Sequence, residues 1–158
     1  MSRFLTGMIV ILLSVNNGAL AAGPLPDARR TPGAINSSVG QPDIQRTICV
    51  QGWSRTVRPD YEWSNAVKHR LLREQGLPAF MIHMWELDHL IPLELGGAAT
   101  DLRNLWLEPR FGPWGAHRKD ELENQLRRLV CSHRMSLHDA QETIAGDWVA
   151  AYRVYVGG

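Results

Sequence analysis

Cysteine is nearly missing from this chain: its 158 residues include two, Cys49 and Cys131. That count excludes a zinc centre built from four cysteines. An excess of either charge is missing as well, with 17 Lys and Arg against 16 Asp and Glu, so bulk charge does not announce a nucleic-acid partner. Beyond the first residues no apolar run approaches the roughly 20 residues that a spanning helix needs. Internal repeats and low-complexity tracts are absent too. The length suits one domain around a single hydrophobic core and is too short for two ordinary ones.

What is present begins with a targeting pattern. Arg3 supplies a positive start, Phe4 to Val15 an apolar stretch, and Ala19-Leu20-Ala21 a small-residue cleavage pattern. Residues 1–21 are therefore expected to be a signal peptide. The competing reading, an uncleaved anchor, is disfavoured because Asn16, Asn17 and Gly18 interrupt the run. Export to the periplasm or the medium follows, with no stable membrane association after cleavage. Removing Arg3 leaves 17 − 1 = 16 basic residues against 16 acidic ones, a formal net charge near zero. An oxidising compartment makes one Cys49–Cys131 disulfide the economical expectation, against two buried free thiols.

Residues 22–43 are rich in Pro, Gly, Ser and Asn with few large apolar side chains, and are expected to be a flexible leader. Order is expected from residue 44, in one domain over 44–158. Thr47-Ile48-Cys49-Val50 reads as a short strand, continued by Gly52 to Val57 toward Pro59. Ser64 is a candidate cap for a helix carrying Val67, Leu71 and Leu72, ended by Gly76 and Pro78. Asp88 to Leu93 and Asn104 to Leu107 read as short strands around a Gly96-Gly97 turn. Leu122, Leu126, Leu129 and Val130 recur at helical spacing and predict a helix over 115–131. Ser136 with Asp139 is a capping-box pattern opening a last helix through Ala140, Ile144, Trp148 and Ala151.

The polar skeleton of the central third is Asp88-His89, a Gly-Gly turn, Asn104, then His117 at the opening of a helix. These residues, within Asp88-His89-Leu90-Ile91-Pro92-Leu93-Glu94-Leu95-Gly96-Gly97, Asn104-Leu105 and His117-Arg118-Lys119, resemble the HNH, or ββα-metal, nuclease family. The motif covers residues 86–120. A wider likeness to an exported subfamily runs through Thr47 to Val50, Gly52-Trp53, Lys119 to Glu123, Val130-Cys131 and Asp147-Trp148. The zinc-binding CxxC pairs that brace many family members are absent.

The resemblance implies an α+β fold: a small ββα-metal unit embedded among flanking helices in a single domain. It implies hydrolysis of DNA phosphodiester bonds, RNA not being excluded, while the near-neutral overall charge favours modest affinity without sequence preference. His89 would be the general base, Asn104 the residue steadying the loop and His89, and Asp88 and His117 the ligands of one divalent metal. Magnesium is the first expectation, with manganese, zinc and nickel as alternatives. His117 depends on the alignment of the Phe111 to Gly115 interval, with His133 or His138 as substitutes. Glu94 and Glu108 are secondary candidates near the metal or His89, set against ordinary surface salt bridges. Arg103, Arg110, Arg118 and Lys119 are candidates for gripping phosphates, while Arg127 and Arg128 read as a solvated helix face. The tryptophans read as core, Trp114 being the candidate stacking platform. Two rival readings stand beside the enzyme: a silent, metal-stabilised binding module, and a structural domain whose Asp88, His89 and His117 only bond one another. Oligomeric state is not legible.

Overall fold

The structure, a computed structural model, describes residues 24–157; the expected signal peptide lies outside them. Two five-residue strands and four α-helices carry the fold. Strand β1 (Trp85–His89) pairs antiparallel with β2 (Leu105–Pro109), in a register that sets Asp88 opposite Trp106 and Glu86 opposite Glu108. Because side chains alternate along a strand, Glu86, Asp88, Trp106 and Glu108 share one face. The ladder ends where the chain has to turn: Pro92 cannot extend it, and Gly96 takes a left-handed conformation (φ 74°) that suits glycine. This is a mixed α and β chain with a two-stranded antiparallel sheet, as expected for the fold class.

The helices follow their local chemistry. α1 is a short segment, Trp53–Val57. α2 runs Tyr61–Glu74, and its cap is Asp60, whose carboxylate accepts from Trp63 N at 2.7 Å. The cap therefore lies four residues before the expected Ser64, which sits inside the helix: Asp60 follows Pro59 directly, at the point where the chain can first turn helical. α3 runs Ala116–Cys131 and buries Leu122, Leu126, Leu129 and Val130 on the face the periodicity predicts. α4 runs Leu137–Tyr155 from a Ser136 cap that accepts from Asp139 N at 3.0 Å. Asp147 breaks its helical geometry (φ −153°, ψ 92°), and its carboxylate caps the continuation by accepting from Ala150 N at 2.9 Å.

Two expectations are corrected. Residues 47–50 form turns and no strand: Cys49 N donates to Ile44 O and Val50 N to Thr47 O. Its β-branched residues favour a strand only where a neighbouring strand can complete the ladder, and none lies alongside this segment among the described residues. Ile44 and Ile48 are instead buried in the common core with Leu122, Leu126 and Ile144. The second correction concerns the leader. Residues 24–43 lie on the fold: Thr31 Oγ1 donates to Leu105 O at 3.2 Å, Gly33 N to Arg103 O at 3.0 Å and Asn36 N to Gly96 O at 2.8 Å. Val39 is buried. An apolar tally misses such a segment because backbone hydrogen bonds, which any residue can make, hold most of it.

Cys49 and Cys131 form a disulfide, joining the segment before α1 to the last residue of α3 across 82 residues. No helix among the described residues is long and apolar enough to cross a membrane. Closing a loop of this length stabilises a fold by about 4 to 5 kcal/mol on the chain-entropy account. Paired Cys49→Ala and Cys131→Ala substitutions should therefore lower the unfolding free energy by several kcal/mol in urea titrations. A change under about 1 kcal/mol would show that the core alone already orders the 41–58 segment.

Candidate functional site

His89 closes β1 and is buried. Its Nε2 lies 2.9 Å from Ala99 O, and since a carbonyl can only accept, Nε2 carries the proton and Nδ1 the lone pair. Burial pushes the imidazole below the usual histidine range, and the Arg58 and Lys119 charges act in the same direction; the Ala99 bond and the Asp88 carboxylate oppose them only in part. The ring is thus neutral at pH 7, oriented by one hydrogen bond. Nδ1 has no hydrogen-bond partner among the described residues.

Asn104, immediately before β2, explains why the loop after His89 has one shape. It is completely buried. Its amide nitrogen donates to Ile91 O (2.9 Å) and Ala98 O (3.1 Å), and its amide oxygen accepts from Ile91 N (2.9 Å) and Ala34 N (3.4 Å). Its backbone carbonyl accepts from Leu90 N at 2.8 Å. Gly97 is needed beside it, because a Cβ there would stand 1.8 Å from Ile91 O. Asn104 therefore positions the 90–99 loop, including the carbonyl that orients His89, without touching the imidazole.

Asp88 faces α3, and what it meets there is Lys119. The ammonium is 2.6 Å from Asp88 Oδ2 and 2.8 Å from His89 O, and it also pairs with Glu123 one turn further along the helix. Lys119 has no exposed surface. The Glu108 carboxyl lies against that of Asp88, and Glu108 Oε1 is buried without a hydrogen-bond partner among the described residues. Burial would push the Asp88 carboxyl up, yet the adjacent ammonium outweighs it and holds Asp88 below its ordinary value. Burial would push Lys119 down, and the Asp88, Glu123 and Glu108 carboxylates outweigh it and raise it. With one cation shared among three acids, burial and the Asp88 charge push Glu108 up to about 10. Burial likewise raises Glu123 to about 8, even with Lys119 opposing it.

The other predicted residues fall elsewhere. His117 stands on the first turn of α3 with its side chain 83% exposed, its Nε2 3.3 Å from Glu121 Oε1. Asp88 and His117 thus point to different partners, and among the described residues no three His, Cys, Asp or Glu side chains gather where they could hold a metal ion. The residues present do not fit a metal held between Asp88 and His117. The proposed substitutes do not repair this: His133 lies 3.2 Å from Gln45 Nε2, at the far end of α3. Lys119 cannot grip a phosphate, being enclosed. Arg103 is bound to Asp101 (2.6 Å), Arg110 to Glu86 (3.4 Å), and Arg118 to Glu121 (3.3 Å) and the Tyr152 hydroxyl. Arg127 donates to Ile48 O at 2.6 Å and Arg128 to Gln125 at 2.8 Å. Trp114 packs edge-on to Trp148 and Tyr152, as core.

Two contributors were missed in the sequence, Glu123 and Arg58. Glu123 stands one helical turn from Lys119, and only the approach of β1 encloses the pair. Arg58, in the connection between α1 and α2, is exposed, and its charge acts on both His89 and Asp120. Nothing in the local sequence singles it out. Glu108 was weighed both as a candidate near the metal or His89 and as a surface ion-pair partner; its strand register turns it inward beside Asp88.

The raised Glu108 has a signed consequence. A carboxyl whose folded pKa exceeds its unfolded value of 4.5 contributes stability below that value and loses it as pH rises toward 10. Glu108→Gln removes the titration while keeping the shape. Its melting temperature relative to the parent chain should rise by several degrees between pH 5 and pH 8.5, and a pH-independent difference would mean Glu108 is ionised in the fold. No family model, curated protein or solved structure matches the chain.

Proposed function

We propose that the chain is an endonuclease of the HNH type, hydrolysing phosphodiester bonds of DNA, with His89 as the general base. The observation that carries this reading is the state of His89: an imidazole held below the usual histidine range by burial, oriented through Nε2 on Ala99 O, with Nδ1 left without a hydrogen-bond partner among the described residues. A base for water at neutral pH needs this combination of protonation state and orientation. The position of His89 also fits, at the end of the first strand of a two-stranded hairpin that packs on a helix.

In the proposed reaction, water gives a proton to His89 Nδ1 as its oxygen forms a bond to phosphorus. The ester P–O bond on the opposite side breaks, and the leaving oxygen takes a proton from solvent. Arg58, whose charge acts on His89, would supply positive charge toward the phosphoryl oxygens. Asn104 keeps the Ala99 carbonyl and the loop in register with the imidazole. A divalent metal enters only through the family resemblance, and no step is derived through it, because Asp88 and His117 do not converge. A chain with few unpaired cations near the site should bind DNA modestly and without reading sequence. Export to the periplasm or medium belongs to the same reading and is compatible with the disulfide.

Digestion of plasmid and single-stranded DNA by the oxidised chain, with magnesium, manganese or zinc and with EDTA, tests the proposal. His89→Ala should reduce cleavage by at least a hundredfold while its melting temperature stays within a few degrees. The parent activity should rise with pH to a plateau whose acid midpoint lies below 6.5, the ordinary histidine value, because burial depresses this ring. Full activity in His89→Ala would remove the proposed base. No cleavage under any condition would favour the silent binding module.

A further inference from the structure

A small polar cleft of about 190 Å³ is lined by Ile48, Gln51, Ser54 and Arg55, by Glu94 from the loop after β1 and by Arg127 from α3. That volume is below the roughly 300 Å³ at which pockets for drug-sized ligands begin, so the cleft suits a single ring system. Glu94 Oε1 is buried without a hydrogen-bond partner among the described residues. Burial raises the Glu94 carboxyl even though the Arg127 charge opposes the shift. Arg127 donates through Nε to Ile48 O at 2.6 Å, which leaves its terminal nitrogens for a ligand, and Arg55 is exposed. An unpaired buried acceptor costs stability, and in a cleft lined by polar groups it points to a ligand that donates. The cleft also shares charged neighbours with His89. Asp120 acts on Glu94 and is itself acted on by Arg58, whose charge reaches His89.

We propose that this cleft is a subsite for one unpaired guanine, whose N1–H and N2–H donate to the Glu94 carboxylate while Arg55 and Arg127 donate to O6 and to the attached phosphate. The inference rests on the nuclease reading for the source of the base, and on the cleft for its identity. A carboxylate accepts two adjacent donors in one plane, and guanine alone among the DNA bases presents them on its Watson–Crick edge. Adenine and cytosine set a ring lone pair beside their amine, and thymine flanks its one N–H with two carbonyls, so each turns an acceptor toward the carboxylate. One carboxylate with two guanidiniums leaves the cleft net positive, which suits a base carried on a phosphate. An edge read in this way belongs to a base outside the stack. The preference therefore falls on one nucleotide of single-stranded or locally opened DNA, while the backbone contacts stay indifferent to sequence.

The probe is deoxyguanosine monophosphate alone, titrated to millimolar concentration into the full oxidised chain and followed by backbone amide NMR. It should shift the amides of residues 50–55 and of Glu94. It should bind about tenfold tighter than deoxyinosine monophosphate, which lacks only the 2-amino group, as expected for one bidentate pair; thymidine monophosphate should bind more weakly still. Glu94→Gln should abolish the guanine preference with a melting temperature at or above that of the parent, because the substitution removes an unpaired acid. Arg55→Ala, an exposed change, should weaken deoxyguanosine monophosphate several-fold and keep the preference over deoxyinosine monophosphate. Equal binding of the three nucleotides, a preference that survives Glu94→Gln, or no shift in the cleft would overturn the proposal. A chain that takes deoxyguanosine monophosphate in the cleft and cuts no DNA keeps the subsite and loses the nuclease reading; one that cuts DNA with no response in the cleft loses the subsite alone.

Discussion

An ammonium group removed from water must be met by oxygens carrying compensating charge, or the fold cannot tolerate it. Lys119 meets that demand by drawing on β1 and on its own helix α3 at once, so the strand and the helix cannot shift independently. Its bond to the His89 carbonyl fixes the backbone of the residue that ends β1, and its pairing with Asp88 keeps that carboxylate ionised. The strain appears in the remaining acids: Glu108 and Glu123 are pushed upward because one cation does not satisfy three carboxyl groups in a desolvated place. Such crowding is characteristic of functional sites, where charge is arranged for chemistry or binding rather than for stability.

A second set of contacts supports the first at the same end of the hairpin. Asn104 uses both amide hydrogens and its amide oxygen on the backbone of the 91–98 loop and of Ala34, and the absence of a side chain at Gly97 lets the loop close against it. The segment before Val39 adds backbone hydrogen bonds to the same loop. His89 is thus held by its backbone through Lys119 and by its ring through Ala99, whose place in the loop traces to Asn104. A neutral, oriented imidazole follows from two independent supports and not from any property of histidine alone.

These supports bear differently on the two halves of the family resemblance. His89, oriented on Ala99 O, and Asn104, which holds the loop, are the half around which the nuclease reading is proposed. The metal half meets an obstacle in the chain's own lysine. Many small ββα units are braced by zinc-binding cysteine pairs; here the flanking helices and the Cys49–Cys131 bond take up that structural task.

Much of this was written along the chain. Leu122, Leu126, Leu129 and Val130 announce the buried face of α3, Ser136 announces the start of α4, and the turn residues from Pro92 to Gly97 separate two short strands, because helical periodicity, caps and turns are local properties. Two thiols in an exported-looking chain sufficed to expect one bond. Asp88, His89 and Asn104 were legible as a group by their order and types. What only the tertiary structure decided was the company each side chain keeps. Lys119 looks like a phosphate contact until β1 covers it, Glu108 could be a surface acid or a neighbour of His89 until register turns it inward beside Asp88, and His117 looks like a ligand until its ring is found at the surface. Residues 47–50 have the composition of a strand and lack a neighbour to pair with, while residues 24–43 have the composition of a flexible arm and find backbone partners. Desolvation, register and pairing depend on residues distant in sequence, so no reading of neighbours along the chain contains them.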